Sequence, residues 1–360
     1  MTAASLVRPP VARQRIRIAI VPGLAALLAV AFLLHVALGP VVIPPLGIVG
    51  ALLDALGVPV GAELSDQHRA IVTSIRLPRA FLALLVGMAL GQAGALLQGL
   101  FRNPLAEPTL VGVSSGAALA AASVIVFAGV IAGRAAATVL PFLLPAAAFA
   151  GGLLATLLIY RIGSRHGSAS IPLMLLAGIA VNAIAFALIG VLIYASDDRQ
   201  LRDITFWMMG SLGGAHWISV IVLAPLALVP LALGGRLARA LNALMLGERE
   251  ALHLGVDVER VKRLATIGVA VAVGGAVAVS GIIGFVGLVV PHLVRLMAGP
   301  DHRVVLPASA LLGGALLLAA DLVARTAVAP AELPVGLVTS LIGAPFFIWL
   351  LLSRGRRGET

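Results

Sequence analysis

The stretch RLPRAFLALLVGMALGQAGALLQGLFRNPLAEPTLVGVSSGA, Arg76 to Ala117, holds an apolar run from Ala80 to Leu97, a polar break at Arg102-Asn103-Pro104, and a second run from Val113. The hydrocarbon core of a bilayer is ~30 Å thick and takes roughly 20 helical residues, fewer where neighbouring protein shields the ends. The first run approaches that length without a charged residue, and proline cannot continue its helix, so the backbone turns at Pro104. The pattern predicts a helix that crosses a membrane, breaks, and is followed by another.

The same signal recurs along the chain. Ten apolar runs qualify as spans: Ile18 to Leu38, Ala80 to Leu97, Val113 to Ile131, Val139 to Ile159, Ile171 to Tyr194, Ile218 to Leu233, Leu264 to Val279, Ile282 to Leu296, Val305 to Val323, and Val335 to Leu352. The eighth is short and interrupted by Gly284, Gly287 and Pro291. Apolar residues make up 61% of the 360 and charged ones only 11%, against the about 25% charge that a soluble domain uses to cover its surface. The chain therefore reads as an all-α membrane protein of ten transmembrane helices in contact with the lipid bilayer. The first run follows Arg8, Arg13, Arg15 and Arg17, as in a signal peptide, but no small-x-small cleavage site follows it, so it reads as a retained helix.

Placing both termini in the cytoplasm puts eighteen of the 25 Lys and Arg residues inside and seven outside, namely Arg69, Arg76, Arg79, Arg134, Arg199, Arg202 and Arg325. That bias satisfies the positive-inside rule. It gives a cytoplasmic N-terminal tail at 1–17, a single transmembrane domain at 18–353 with a cytoplasmic loop at 236–263, and a cytoplasmic C-terminal tail at 354–360. Tyr160, Tyr194, Trp207, Trp217 and Trp349 lie near span ends, where amphipathic rings anchor. The forty glycines suit close helix packing, and five spans on each side of Arg199 permit an inverted repeat, with only faint similarity between the halves.

Composition excludes several chemistries. Without cysteine there are no disulfides, thiolate metal sites or cysteine nucleophiles. The positive charge lies between apolar runs and forms no basic stripe interleaved with aromatics, so nucleic acid is not a partner. Asp321, the one carboxylate within a span, precedes Arg325 by four residues and is read as a structural ion pair with it. A proton or sodium relay then has little to run on, which leaves a secondary transporter as a remote alternative. His35 and His292 read as neutral, hydrogen-bonded core histidines rather than metal ligands. Gln92, Gln98 and Asn182 either line a substrate path or bond adjacent helices. Lys262, the only lysine, is followed by Arg263, whereas a phosphate-binding P-loop requires Gly-Lys-Ser/Thr. The chain has no nucleotide site and no nominated catalytic group, so any ATP-driven work belongs to another subunit.

Three stretches carry a family resemblance: Arg76 to Ala117, LNALMLGEREALHLGVDVERVKR (Leu241 to Arg263), and SGIIGFVGLVVPHLVRLMAGPDHR (Ser280 to Arg303) with the following ADLVAR and AELPVGLVTSLIGAPFFIWLL. Together they strongly resemble the FecCD-type permeases of ABC importers for iron-siderophores, haem and cobalamin, from Arg76 to Leu351. The resemblance implies the type II importer permease fold in a bacterial inner membrane, and a homodimer whose pathway is lined by the fifth and tenth spans. It also implies two copies of a P-loop ATPase that uses ATP and Mg, and a periplasmic substrate-binding protein; this chain itself binds no cofactor.

By the same resemblance, Gly247, Glu248, Leu252 and Gly255, in a short helix bracketed by the two glycines, dock into the ATPase. Asn103 and Leu105 close a cytoplasmic gate, with Ile171 and Pro172 as the second gate segment, where some relatives carry small hydroxyl residues instead. Arg76, Arg79 and Arg325 meet the binding protein outside. The stretch SDDRQLRDITFWMMGSLGG, Ser196 to Gly214, looks like the haem branch, so haem is the expected cargo ahead of a ferric siderophore or cobalamin.

Overall fold

The computed structural model describes residues 10–39, 41, 43, 50, 65–133, 136–165 and 168–355, so parts of both expected tails, 1–9 and 356–360, and Arg134 lie outside the described residues. Helix α1 runs Pro10–Ala37 and α2 Asp66–Ala70, continuing through a π-helical turn, Ile71–Arg76, into α3, Leu77–Leu100. After a 3-10 turn at Pro108–Val111 come α4 (Val113–Ala132) and α5 (Ala136–Gly163). Strands β1 (Ser164–Arg165) and β2 (Ser168–Ala169) pair antiparallel, with Ser164 opposite Ala169. Then follow α6 (Ile171–Tyr194), α7 (Asp198–Met209), α8 (Trp217–Leu244), α9 (Glu248–His253), α10 (Val258–Ser280), α11 (Val286–Ala298), α12 (His302–Thr326) and α13 (Val335–Gly355).

Apart from the small hairpin, the described chain is helical. Seven helical segments are long and apolar enough to cross a membrane, and three shorter apolar helices, Val113–Ala128, Val286–Ala298 and Val335–Trp349, accompany them. In lipid the backbone must satisfy its own hydrogen bonds, which is why helices account for nearly all of it. The eighth apolar run is the one that departs from expectation. Its first residues are not helical: Gly281 (φ 68°) ends α10, irregular chain follows, and Phe285 (φ 66°) opens the 13-residue α11. A helix of that length rises only about 20 Å. Within the stretch 236–263, α8 stays helical to Leu244 and α10 begins at Val258.

Helix α3 forms the centre, packed by α8, α10, α11 and α12. Of its most apolar window 78% is buried inside the chain, against 22% for α6, whose Leu176, Ile179, Ile184 and Val191 face outward. Apolar surroundings give little drive to press helices together, so close backbone approach and dispersion must do it. Glycines supply that approach. A β-carbon on Gly87 would stand 2.3 Å from the Gly313 carbonyl oxygen of α12, and one on Gly94 would stand 1.9 Å from the Gly287 carbonyl oxygen of α11.

Gly94→Ala should therefore destabilise the protein by roughly 1–3 kcal/mol or more through overpacking against backbone. Gly190→Ala, with nothing within 4 Å of the added carbon, should be close to neutral. Thermal unfolding in detergent compares the two, and equal transitions would contradict the packing account.

Candidate functional site

The polar loop between α8 and α10 is built from local rules. Gly247 (φ 133°) and Gly255 (φ 79°) adopt backbone conformations that suit glycine, and between them Glu248 to His253 form α9. Glu248 and Glu250 in its first turn complement the helix dipole. Around α9 the apolar side chains face outward: Leu246, Leu252 and Leu254 are 68%, 58% and 64% exposed. This is the bracketed short helix expected from the sequence.

Lys262 ties this loop to the rest of the protein. It lies in the first turns of α10 with its side chain buried, and its ammonium donates to Glu248 Oε2 (2.9 Å), Glu259 Oε1 (3.0 Å) and the Ala169 carbonyl (2.7 Å). Glu259 Oε2 in turn accepts from the Ala169 amide at 2.8 Å. Both backbone polar groups of the β2 residue Ala169 are thus held from α10. The Glu259-x-x-Lys262 pair was legible in the sequence at helical spacing, but its contact with the hairpin was not.

Ala169 leads through Ser170 into Ile171 and Pro172 at the start of α6, where proline at the first helical turn forfeits no internal bond. Ile171 is half-buried and Pro172 exposed. The other predicted gate segment lies in the break after α3. Asn103, exposed, accepts from the Leu105 amide through Oδ1 at 2.9 Å, an Asx turn that reverses the chain, and Leu105 is half-buried.

The break then climbs back against α6. A β-carbon on Gly178 would stand 2.0 Å from the Leu110 carbonyl oxygen, and Asn182 Nδ2 donates to the Thr109 carbonyl at 3.1 Å. Ser115 donates to Asn182 Oδ1 at 2.5 Å. Asn182 therefore bonds α6 to the break and to α4. Glu107, which sequence reasoning did not single out, accepts from the Phe285 amide at 3.1 Å and so holds the left-handed residue that opens α11. Burial pushes its carboxyl above the usual carboxylate range, opposed by the Phe285 and Thr109 hydrogen bonds.

Arg76, Arg79 and Arg325, expected to meet a binding protein, are 3%, 6% and 3% exposed, and each bonds within the chain. Arg76 donates to the Val36 (2.9 Å), Ala37 (2.8 Å) and Val41 carbonyls, and Arg325 donates to the His35 carbonyl. The two thus answer carbonyls that the end of α1 leaves without helical partners. Arg79 forks onto Asp321, Nε to Oδ2 at 2.8 Å and Nη2 to Oδ1 at 2.9 Å, and reaches Glu332 at 2.9 Å. Asp321 thus pairs with Arg79 rather than Arg325, and it also bonds His35 Nε2 at 2.8 Å.

Residues 27–353 match the pattern of the FecCD transport family. The chain belongs to that family. Among its relatives, the hemin transport system permease HmuU of Yersinia pestis is 47% identical over 297 residues, covering 80% of this chain and 85% of that one. The cobalamin import permease BtuC of Halobacterium salinarum is 44% identical, covering 84% and 79%. The vitamin B12 import permease BtuC of Klebsiella pneumoniae is 42% identical, covering 93% and 94%. A metal-chelate type ABC transporter solved in an inward-facing conformation superposes with a TM-score of 0.78 at 30% identity, over 93% of this chain and 99% of that one. As a FecCD permease the chain is a multi-pass membrane subunit of an ABC importer and is not itself catalytic.

In this FecCD chain the two glutamines, read as path lining or as bonds between helices, are both buried between helices. Gln98 Nε2 donates to the Gly287 and Leu288 carbonyls, both at 3.2 Å, and its Oε1 accepts from Arg295, so Gln98 bonds α3 to α11. Gln92 is 2% exposed, and its amide lies against Gly234 of α8. His35 is a hydrogen-bonded core residue, and His292 is buried edge-on to Phe346 of α13, with ring centroids 6.5 Å apart. A cavity of about 980 Å³ is lined by Asp197, Arg199, Phe206, Trp207, His216 and Ser280, so the Ser196–Gly214 stretch supplies much of its wall. Its helix α7 starts with a capping box, Asp197 with Gln200, a signal present in the sequence.

Removing Asp321 leaves the Arg79 guanidinium buried with only the half-exposed Glu332 as partner. Asp321→Ala should cost about 3–5 kcal/mol, as breaking a buried pair does, whereas Glu332→Ala should cost about 0–1 kcal/mol. Folded yield and thermal stability of the two variants in detergent measure the difference.

Proposed function

We propose that the chain is the transmembrane permease of an ABC importer that carries haem across a bacterial inner membrane. Its ten apolar runs would each cross, the eighth through α11 together with the non-helical residues before it, with both termini cytoplasmic and α9 facing the cytoplasm. A second copy of the chain would complete the pathway, with α6 and α13 toward the symmetry axis. The outward-facing leucines of α6, and Leu341 and Ile342 of α13, supply apolar surface for that contact. A periplasmic binding protein would deliver cargo, and two P-loop ATPases would drive the gates.

The observation that carries the reading is the α9 loop. Exposed leucines on a loop too polar to enter lipid mark a protein-contact surface, and the family resemblance assigns that surface, around Gly247, Glu248, Leu252 and Gly255, to the ATPase. Asn103 and Leu105 on one side, and Ile171 and Pro172 on the other, then form the cytoplasmic gate. Haem is favoured by the 47% identity with the Yersinia hemin permease and by the Ser196–Gly214 stretch. The cobalamin permeases at 42–44% identity support a second reading in which the cargo is a different metal chelate, cobalamin or a ferric siderophore.

Reconstituted transport with haem-, siderophore- and cobalamin-loaded binding proteins side by side decides between them. Haem uptake dependent on ATP and on the ATPase subunit is expected. Uptake of only another chelate ends the haem reading, and uptake without any ATPase subunit ends the importer reading. Within the assembled system, Leu252→Glu should weaken ATPase binding by about 2 kcal/mol, roughly thirtyfold, as loss of an interface hot spot does. Co-purification at graded salt and protein concentration measures that loss.

A further inference from the structure

We infer that Lys262 is the positioning residue that carries displacement of the ATPase-facing helix α9 to the gate segment at Ala169–Pro172. The inference rests on the reading of α9 as the ATPase contact. Three elements meet at one ammonium: α9 through Glu248, α10 through Glu259, and the β1–β2 hairpin through the Ala169 carbonyl. A lysine ammonium has three donors, and all three are used. Among the described residues, the Glu248–Lys262 bond is the one side-chain hydrogen bond by which α9 reaches another helix.

The mechanical consequence follows from chain geometry. Ala169 is gripped at its carbonyl by Lys262 and at its amide by Glu259, so it moves with the start of α10. Ile171 lies two residues further on, and an extended chain spans at most ~3.3–3.6 Å per residue. A shift of α9 that drags Lys262 therefore reaches Ile171 and Pro172 with little slack. The direct covalent route from α9 to α10 passes instead through the turn at Leu254–Asp257, capped on α9 by the Gly255 and Val256 amides, and it leads to the start of α10 without touching the hairpin. Without the ammonium, Glu248 and Glu259 would face each other as like charges, and the hairpin carbonyl would lose its donor.

The test uses the full complex in proteoliposomes, reading cargo uptake per ATP hydrolysed with haem-loaded binding protein, or with whichever chelate the wild type carries. Lys262→Met should lower that ratio about tenfold, the scale on which residues along a coupling route act. Lys262→Arg, which keeps the charge and donors, should recover part of it. Glu248→Ala, which removes the acceptor on α9 while leaving Lys262 on Ala169 and Glu259, should lower the same ratio and covers the case in which Lys262→Met fails to assemble. A wild-type ratio in an assembled Glu248→Ala complex, or in an assembled Lys262→Met complex, overturns the inference, even if thermal stability falls. Failure of the wild-type complex to import any chelate would instead overturn the permease reading.

Discussion

Within lipid no water answers a polar group, so every donor and acceptor at membrane depth must find its partner in the protein. Regular helices meet this demand along their length, and the informative places are where they stop. The last carbonyls of α1 are taken by Arg76 and Arg325, and the charge of Arg79 by Asp321. The left-handed Phe285 gives its amide to Glu107, and Asn103 turns the chain after α3. Each irregularity that shapes the proposed pathway is held by a polar side chain drawn from another part of the chain or from the turn itself.

That constraint also divides the sequence into what can be read and what cannot. The α9 helix was legible because its signals are local: two glycines and acids in the first turn. The start of α6 was legible because Pro172 stands in its first turn. The role of the outer arginines was not, because the Arg79 partner lies 242 residues away and no local pattern announces it. Charge near a span end reads as surface until the opposing carboxylate is found. Lys262 shows the same limit, since the carbonyl it holds is 93 residues distant. The break before α11 was foreshadowed by Gly284, whereas Gly287 and Pro291, expected to interrupt the run, lie within the continuous helix, and the left-handed Phe285 is held by Glu107 from another loop.

The arginine cluster bears on how such a permease is held together. Arg79, Asp321 and His35 come from α3, α12 and α1, so one buried network fixes the adjoining ends of three helices. A buried pair of this kind adds little net stability over an apolar substitute, yet it is severely penalised when one partner is lost. Its effect is to fix register: α1, α3 and α12 cannot slide by a turn without exposing a charge to hydrocarbon.

Register at these adjoining ends and glycine contacts along α3 together decide which parts can move. At Gly87 with Gly313, and at Gly94 with Gly287, backbone rests on backbone, leaving no side chain whose rotamer could absorb a displacement. Close-packed interfaces of this type switch or stay, and do not creep. The central helices α3, α11 and α12 are thus packed backbone to backbone, and under the proposed function gating would fall to elements joined to them by polar contacts. The break after α3 reaches α6 chiefly through Asn182 and the Leu110–Gly178 approach, and the hairpin before Ile171 hangs from α10 on the Lys262 and Glu259 bonds. Both candidate gate segments therefore sit where a few hydrogen bonds, rather than a packed glycine seam, set the position of the chain. On the proposed function, a close-packed centre with polar attachments near α9 is the arrangement that would let force applied at α9 open a path without loosening the helices that cross the membrane.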